Sequence, residues 1–122
     1  MEDRESDRLD LGRSGERAAA RYLGKRRYEI LDRGVRLLRG EIDIVARDGP
    51  TIVFIEVKTR RGEGYGPPGE AVTAAKRRQI RRIAQLYLMK KGLTSNFCRF
   101  DVISILVDDE ERIRIEHLKD AF

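Results

Sequence analysis

Two acids and a lysine stand out because each interrupts an apolar run. Asp43 lies within Glu41-Ile42-Asp43-Ile44-Val45-Ala46, and Glu56 and Lys58 close the run Thr51-Ile52-Val53-Phe54-Ile55-Glu56-Val57-Lys58. A carboxylate taken out of water without a partner is costly, and two of them close together repel, so a positive group belongs between them. A hard divalent cation meets that need. Mg²⁺ takes oxygen ligands, keeps several waters and is usually held by one or two carboxylates plus a substrate phosphate, which is what Asp43 and Glu56 can offer. Lys58 would then reach the phosphate or an attacking water. The same spacing also describes a plain ion pair of Glu56 and Lys58 at a strand end, with Asp43 an acid near a turn, and spacing alone does not choose between the two.

The elements that must position these groups are two strands and two helices. Strand alternation puts Glu41, Asp43 and Val45 on one face and Ile42, Ile44 and Ala46 on the other. The second run is apolar on both faces through Ile55, as in a central strand covered by helices, and places Glu56 and Lys58 on the face of Ile52 and Phe54, roughly 7 Å apart. Arg47-Asp48-Gly49-Pro50 carries turn residues, so the runs should pair as an antiparallel hairpin that brings Asp43 near Glu56. Upstream, Ser14 is a candidate N-cap for a helix to about Arg27, with Glu16, Ala19, Ala20 and Leu23 on one stripe. On spacing alone Glu16 reads as a structural acid, favoured in a first helical turn by the dipole. Downstream, a helix from about Glu70 to Lys91 should bury Val72, Ala75, Ile80, Ile83, Leu86 and Tyr87, with Arg77, Arg78, Arg81 and Gln85 opposite. Lys76 and Gln79 project into its apolar stripe, where a lysine either snorkels to water or meets a phosphate.

At 122 residues the chain has room for one modest core. Its 26 Lys+Arg against 21 Asp+Glu give a net charge of +5, and the pI is about 9.7. The excess is clustered: Lys76, Arg77, Arg78, Arg81, Arg82, Lys90 and Lys91 stand in one helix with no acid among them. Such a stripe suits the phosphate backbone of nucleic acid, although a charge-rich chain also carries solvated faces of this kind. A single histidine, His117, and a single cysteine, Cys98, leave neither a two-histidine acid–base pair nor a Cys/His zinc cluster within one chain. Cys98 is expected in the core. The glycines at 62, 64, 66 and 69 do not meet a dinucleotide fingerprint. Their segment, 61–69, reads as a shaped or mobile loop in which Tyr65 could stack on a base. No run is long and apolar enough for a transmembrane helix, and the charged start lacks a signal peptide's apolar segment, so a cytoplasmic protein without membrane contact is expected. Residues 1–11 read as a disordered segment and 12–122 as one domain. Tyr28 to Leu38 reads as a first strand, and Arg99–Val107 with Arg112–Glu116 as a closing hairpin in which Asp101 shares a face with Ile103 and Ile105.

Taken in order, Gly40-Glu41-Ile42-Asp43-Ile44-Val45-Ala46-Arg47-Asp48-Gly49, Phe54-Ile55-Glu56-Val57-Lys58-Thr59-Arg60, Ala71-Val72-Thr73 before Lys76, and Arg114-Ile115-Glu116-His117 through Ala121-Phe122 resemble the small bacterial YraN family from about Gly12 to the C-terminus. That family is similar in fold to the PD-(D/E)xK nucleases, especially archaeal Holliday-junction resolvases. The resemblance implies an α/β (α+β) fold, a restriction-endonuclease-like mixed sheet flanked by helices in the order α-β-β-β-α-β-β. It implies that Asp43 and Glu56 ligate Mg²⁺ or Mn²⁺ with the Val57 carbonyl, that Lys58 activates water, that Glu16 joins the site, and that Lys76 contacts a phosphate. Ile42 replaces the superfamily's proline before the aspartate, and Arg33-Gly34-Val35-Arg36 stands where relatives often carry an Asn and an aromatic residue. The expected function is metal-dependent hydrolysis of phosphodiester bonds in DNA, with branched DNA among the substrates and a homodimer as the working unit. Lys76, Arg77, Arg78, Arg81, Arg82 and Tyr65 would bind the nucleic acid. The alternatives are a non-catalytic nucleic-acid-binding or scaffold protein with the same fold, and a protein-interaction module.

Overall fold

A computed structural model of the chain describes the backbone of residues 4–62 and 72–122, and side chains from residue 12 onward within those ranges. Its elements are α1 (Arg4–Lys25), β1 (Glu29–Leu37), β2 (Gly40–Asp48), β3 (Thr51–Arg61), α2 (Ala74–Lys91), β4 (Phe97–Val107) and β5 (Ile113–Leu118). This is the mixed α/β order expected from the sequence.

The strands form one sheet in the order β1-β2-β3-β4-β5. Neighbours are antiparallel except β3 and β4, which run parallel from Thr51↔Phe97 to Arg61↔Val107. A parallel neighbour needs a crossover, and α2 supplies it. Gly49, at φ +58°, turns the β2–β3 hairpin in the left-handed conformation that glycine adopts without strain.

Helices cover both faces. Ala19 and Leu23 of α1 pack on Ile44, Ala46, Val53, Ile55, Ile103 and Ile105, while Ile80, Ile83, Ala84 and Tyr87 of α2 pack on Ile52, Phe54 and Val102. The two apolar faces of β3 thus have their two covers, which accounts for its unbroken apolar run.

Four expectations are corrected. The first helix is under way at Arg4, inside the segment expected to be disordered, so Ser14 sits within the helix and is not its cap. The second helix begins at Ala74, where the Thr73 side chain accepts from the Lys76 N–H and supplies the cap; Glu70 lies outside the described residues. Its buried stripe is Ile80, Ile83, Ala84 and Tyr87, one face at i, i+3, i+4 and i+7 with Tyr87 edge-on to Phe54; Ala75, expected there, is exposed, and Leu86 is only partly buried. Cys98 is exposed, since β4 begins beyond the cover of either helix.

Strict alternation also fails in β2. Ile42 and Val45 pack toward α2, whereas Ile44 and Ala46 pack toward α1. The ladder to β3 runs from Asp48↔Thr51 to Ile44↔Ile55, so β2 parts from β3 just before Asp43. That departure opens the site.

Candidate functional site

Where β2 leaves the ladder, the carboxylate of Asp43 takes the place of a strand partner: the Val57 N–H donates to its Oδ2 at 2.8 Å. A cavity of about 410 Å³ opens beside it, lined by Gly40, Glu41, Asp43, Glu56, Lys76 and Gln79 among others. Three elements line this opening, and a fourth, α1, lies beside it. β2 brings Glu41 and Asp43, β3 brings Glu56 with Lys58 beside it, α2 brings Lys76, and α1 brings Glu16, which has a carboxylate oxygen within 4.8 Å of one on Asp43.

Two glycines make these approaches possible. A Cβ on Gly15 would lie 1.8 Å from Thr59 Oγ1, so α1 can cross β3 closely enough to present Glu16 only because position 15 has no side chain. A Cβ on Gly40 would lie 2.7 Å from Gln79 Nε2 and 2.9 Å from Ile83 Cδ1, so α2 seats against β2 for the same reason.

The acids divide into two settings. Oxygens of Glu16, Glu41 and Asp43 lie within 4.8 Å of one another. Burial first, then the Glu56 charge, push Asp43 up to about 7 from 3.8, against the opposing Val57 hydrogen bond. Burial and the Glu41 charge raise Glu16 as well. Glu56, 5% exposed, is instead held by two ammonium groups: Lys76 Nζ at 2.5 Å and Lys58 Nζ at 3.6 Å from its Oε1. Burial and the neighbouring Lys76 lower the Lys58 pKa, whereas for Lys76 burial is outweighed by Glu56 and the pKa rises. Ser104, the register partner of Lys58 on β4, has a buried hydroxyl with no hydrogen-bond partner among the described residues.

The donor set is all oxygen, partly buried and short of positive charge around Asp43, which fits a hard divalent cation better than a soft one. Asp43 belongs to both settings, with an oxygen within 4.8 Å of one on Glu16 and a shared cavity with Glu56. Glu56 and Asp43 were expected together, and they are; Glu16 joins them, and Lys76 reaches Glu56 directly. Sequence reasoning passed over Glu41 as a site residue, although its place two residues before Asp43 on a strand was the available signal. It also passed over the Gln79 amide, which donates to the Leu38 carbonyl at 3.1 Å and ties α2 to the β1–β2 turn.

The basic residues of α2 do not form one stripe. Arg77 donates to the Val72 carbonyl and lies over Phe122, and Arg81 lies over Phe100. Arg78 and Arg82 turn the other way, toward Leu38 and Arg39. Tyr65 lies outside the described residues.

Asp101 serves a separate, structural network on the α1 side. Fully buried, it takes Arg99 at 2.9 Å, His117 Nε2 at 2.7 Å and the Asp120 N–H at 2.9 Å, while His117 Nδ1 meets the Tyr22 hydroxyl at 3.2 Å. These partners outweigh burial and hold the Asp101 carboxyl below its usual range.

The fold and site define a two-sided α/β domain with carboxylates and lysines gathered at the point where a hairpin opens. Residues 15–105 match the model of the "Uncharacterised protein family UPF0102", and the chain belongs to this family, which is the YraN family. It is similar to UPF0102 proteins of Symbiobacterium thermophilum (49% identical over 92% of this chain and 95% of the relative) and Geotalea uraniireducens (52%, over 99% and 94%). A third, from Geobacter sulfurreducens, is 53% identical over 92% of this chain and 88% of the relative. Among the described residues no helix is long and apolar enough to cross a membrane.

Proposed function

We propose that this protein is a metal-dependent nuclease that hydrolyses phosphodiester bonds in DNA, branched DNA included. The observation that carries the reading is the meeting of Asp43, Glu56 and Lys76 from three elements at one open cavity, with the Lys58 ammonium 3.6 Å from Glu56 and the Asp43 pKa raised by burial and the Glu56 charge. Asp43 and Glu56 would hold Mg²⁺ or Mn²⁺, with Glu16 and Glu41 as neighbouring oxygen donors and the Val57 carbonyl on the same strand. When bound, such a cation supplies Lewis acidity toward the phosphoryl group and lowers the pKa of a coordinated water.

The chain's own groups do the rest. Lys58, whose ammonium is disfavoured by burial and by Lys76, gives up its proton more readily than an exposed lysine and so can orient an attacking water and accept from it. Lys76, kept charged by Glu56, stabilises negative charge that develops on the phosphate oxygens. The Val57 N–H, donating to Asp43 Oδ2, fixes the Asp43 carboxylate.

A second reading, a non-catalytic nucleic-acid-binding protein, draws on the pairing of Glu56: held between two ammonium groups, it is neutralised without a cation. Cleavage separates the two. Junction, flap, linear and single-stranded DNA are incubated with Mg²⁺ or Mn²⁺ and the wild type, Glu56→Ala or Lys58→Ala. Nuclease action predicts cleavage that both substitutions abolish. DNA binding with no cleavage above the variants would replace it with the second reading.

A further inference from the structure

A second cavity, of about 420 Å³, lies beside the first, and Ala75 and Gln79 line both. Its remaining walls are Leu38 and Arg39 of the β1–β2 turn and Arg78 and Arg82 of α2. Four residues apart, Arg78 and Arg82 share a helix face. Arg39 lines the cavity with them. Among the described residues no acid lines it, and none of the three arginines is paired with another of them.

Three guanidinium groups at one opening, with no acid among the described residues that line it, repel one another. An anion with several oxygens relieves that repulsion, and guanidinium is suited to phosphate because it can donate two parallel hydrogen bonds. The turn that carries Arg39 is held in an uncommon conformation: Leu38 and Arg39 both have positive φ, +52° and +58°, without glycine's freedom. The Gln79 bond to the Leu38 carbonyl and the tight seat of Gly40 under α2 keep it there. Its effect is to leave Leu38 53% exposed at the rim of a basic cavity.

We propose that this cavity is the subsite for the nucleic-acid strand as it continues from the scissile phosphate. Arg39, Arg78 and Arg82 hold backbone phosphates, and Leu38 packs on the face of a base. The inference rests on the nuclease reading and adds the path of the strand. A polynucleotide fits better than a free phosphate for two reasons: the cavities share a wall, as successive phosphates of one strand require, and an apolar side chain at the rim has a partner in a base but none in an inorganic ion.

The test is fluorescence anisotropy of labelled single-stranded and duplex oligonucleotides in EDTA, from about 50 to 200 mM salt. It compares the wild type, Arg39→Ala/Arg78→Ala/Arg82→Ala, Leu38→Ala, and Arg112→Ala as a control from the exposed β4–β5 turn. Each phosphate contact contributes about 0.7–0.9 to the slope of log affinity against log salt. Losing three lowers the slope by roughly 2 to 2.7, so over this fourfold salt range wild-type affinity falls about 20- to 40-fold further than that of the triple variant. Leu38→Ala weakens binding with the slope unchanged, and Arg112→Ala changes neither. A triple variant with wild-type slope and affinity overturns the subsite while wild-type cleavage leaves the nuclease reading standing; a wild type that neither binds nor cleaves overturns both.

Discussion

Replacing Asp43 with Asn should make the metal-free protein more stable at neutral and alkaline pH, an outcome opposite to the usual effect of altering a hydrogen-bonded, largely buried residue. In the unfolded chain the carboxyl titrates near 3.8, and in the folded protein at about 7, chiefly because of burial and then the Glu56 charge. Between those values the unfolded state binds fewer protons than the folded state, so stability falls as pH rises. The span is about 3 units at 1.36 kcal/mol each, or about 4 kcal/mol at most, lost from about pH 4 upward and fully lost above pH 7. Asparagine carries no charge to desolvate, and its side-chain oxygen still accepts from the Val57 N–H. Urea unfolding of both proteins in EDTA from about pH 4 to pH 8 gives the difference directly, because titrations elsewhere largely cancel in the comparison. The variant should gain on the wild type by up to about 4 kcal/mol across the range. Two stability curves that stay parallel would refute the argument, since they would mean that Asp43 ionises in the folded protein as it does in the unfolded one.

Other outcomes follow from the packing. Gly15→Ala should cost about 1–3 kcal/mol, as overpacking does, and pull Glu16 away from Asp43, because the new methyl would meet Thr59 Oγ1, Cβ and Cγ2 at 1.8, 3.0 and 3.2 Å and no rotation of Thr59 clears all three; Thr59→Ala in the same protein should restore part of the loss in a thermal melt. Asp101→Asn should destabilise by about 3 kcal/mol or more, because it leaves Arg99 and His117 without the fully buried carboxylate they share. Unfolding of this variant at wild-type urea concentration would count against that network.

The architecture was largely legible in the chain because periodicity reports burial. An apolar run on both faces of β3 requires a cover on each side, and the Asp48-Gly49 turn requires a hairpin. The site was legible in part for the same reason: Glu56 and Lys58 stand out only where neighbours are apolar, and strand alternation correctly put them on the Phe54 face, toward α2. Alternation then misled in β2, where Ile42 and Ile44 pack on opposite faces, because it assumes an unbroken ladder and this one stops at Ile44.

What the sequence determined by itself is the set of local preferences: which segments are strands, which are helices, and which charges are forced into apolar company. What only the tertiary structure decided is which of those charges meet. Glu16 lies 27 residues before Asp43 and reaches it because Gly15 lets α1 rest on Thr59; Lys76 reaches Glu56 because Gly40 lets α2 rest on β2. No spacing within a helix or a strand encodes such a contact, since it depends on the distance between two surfaces, and that distance is fixed by the smallest residue between them.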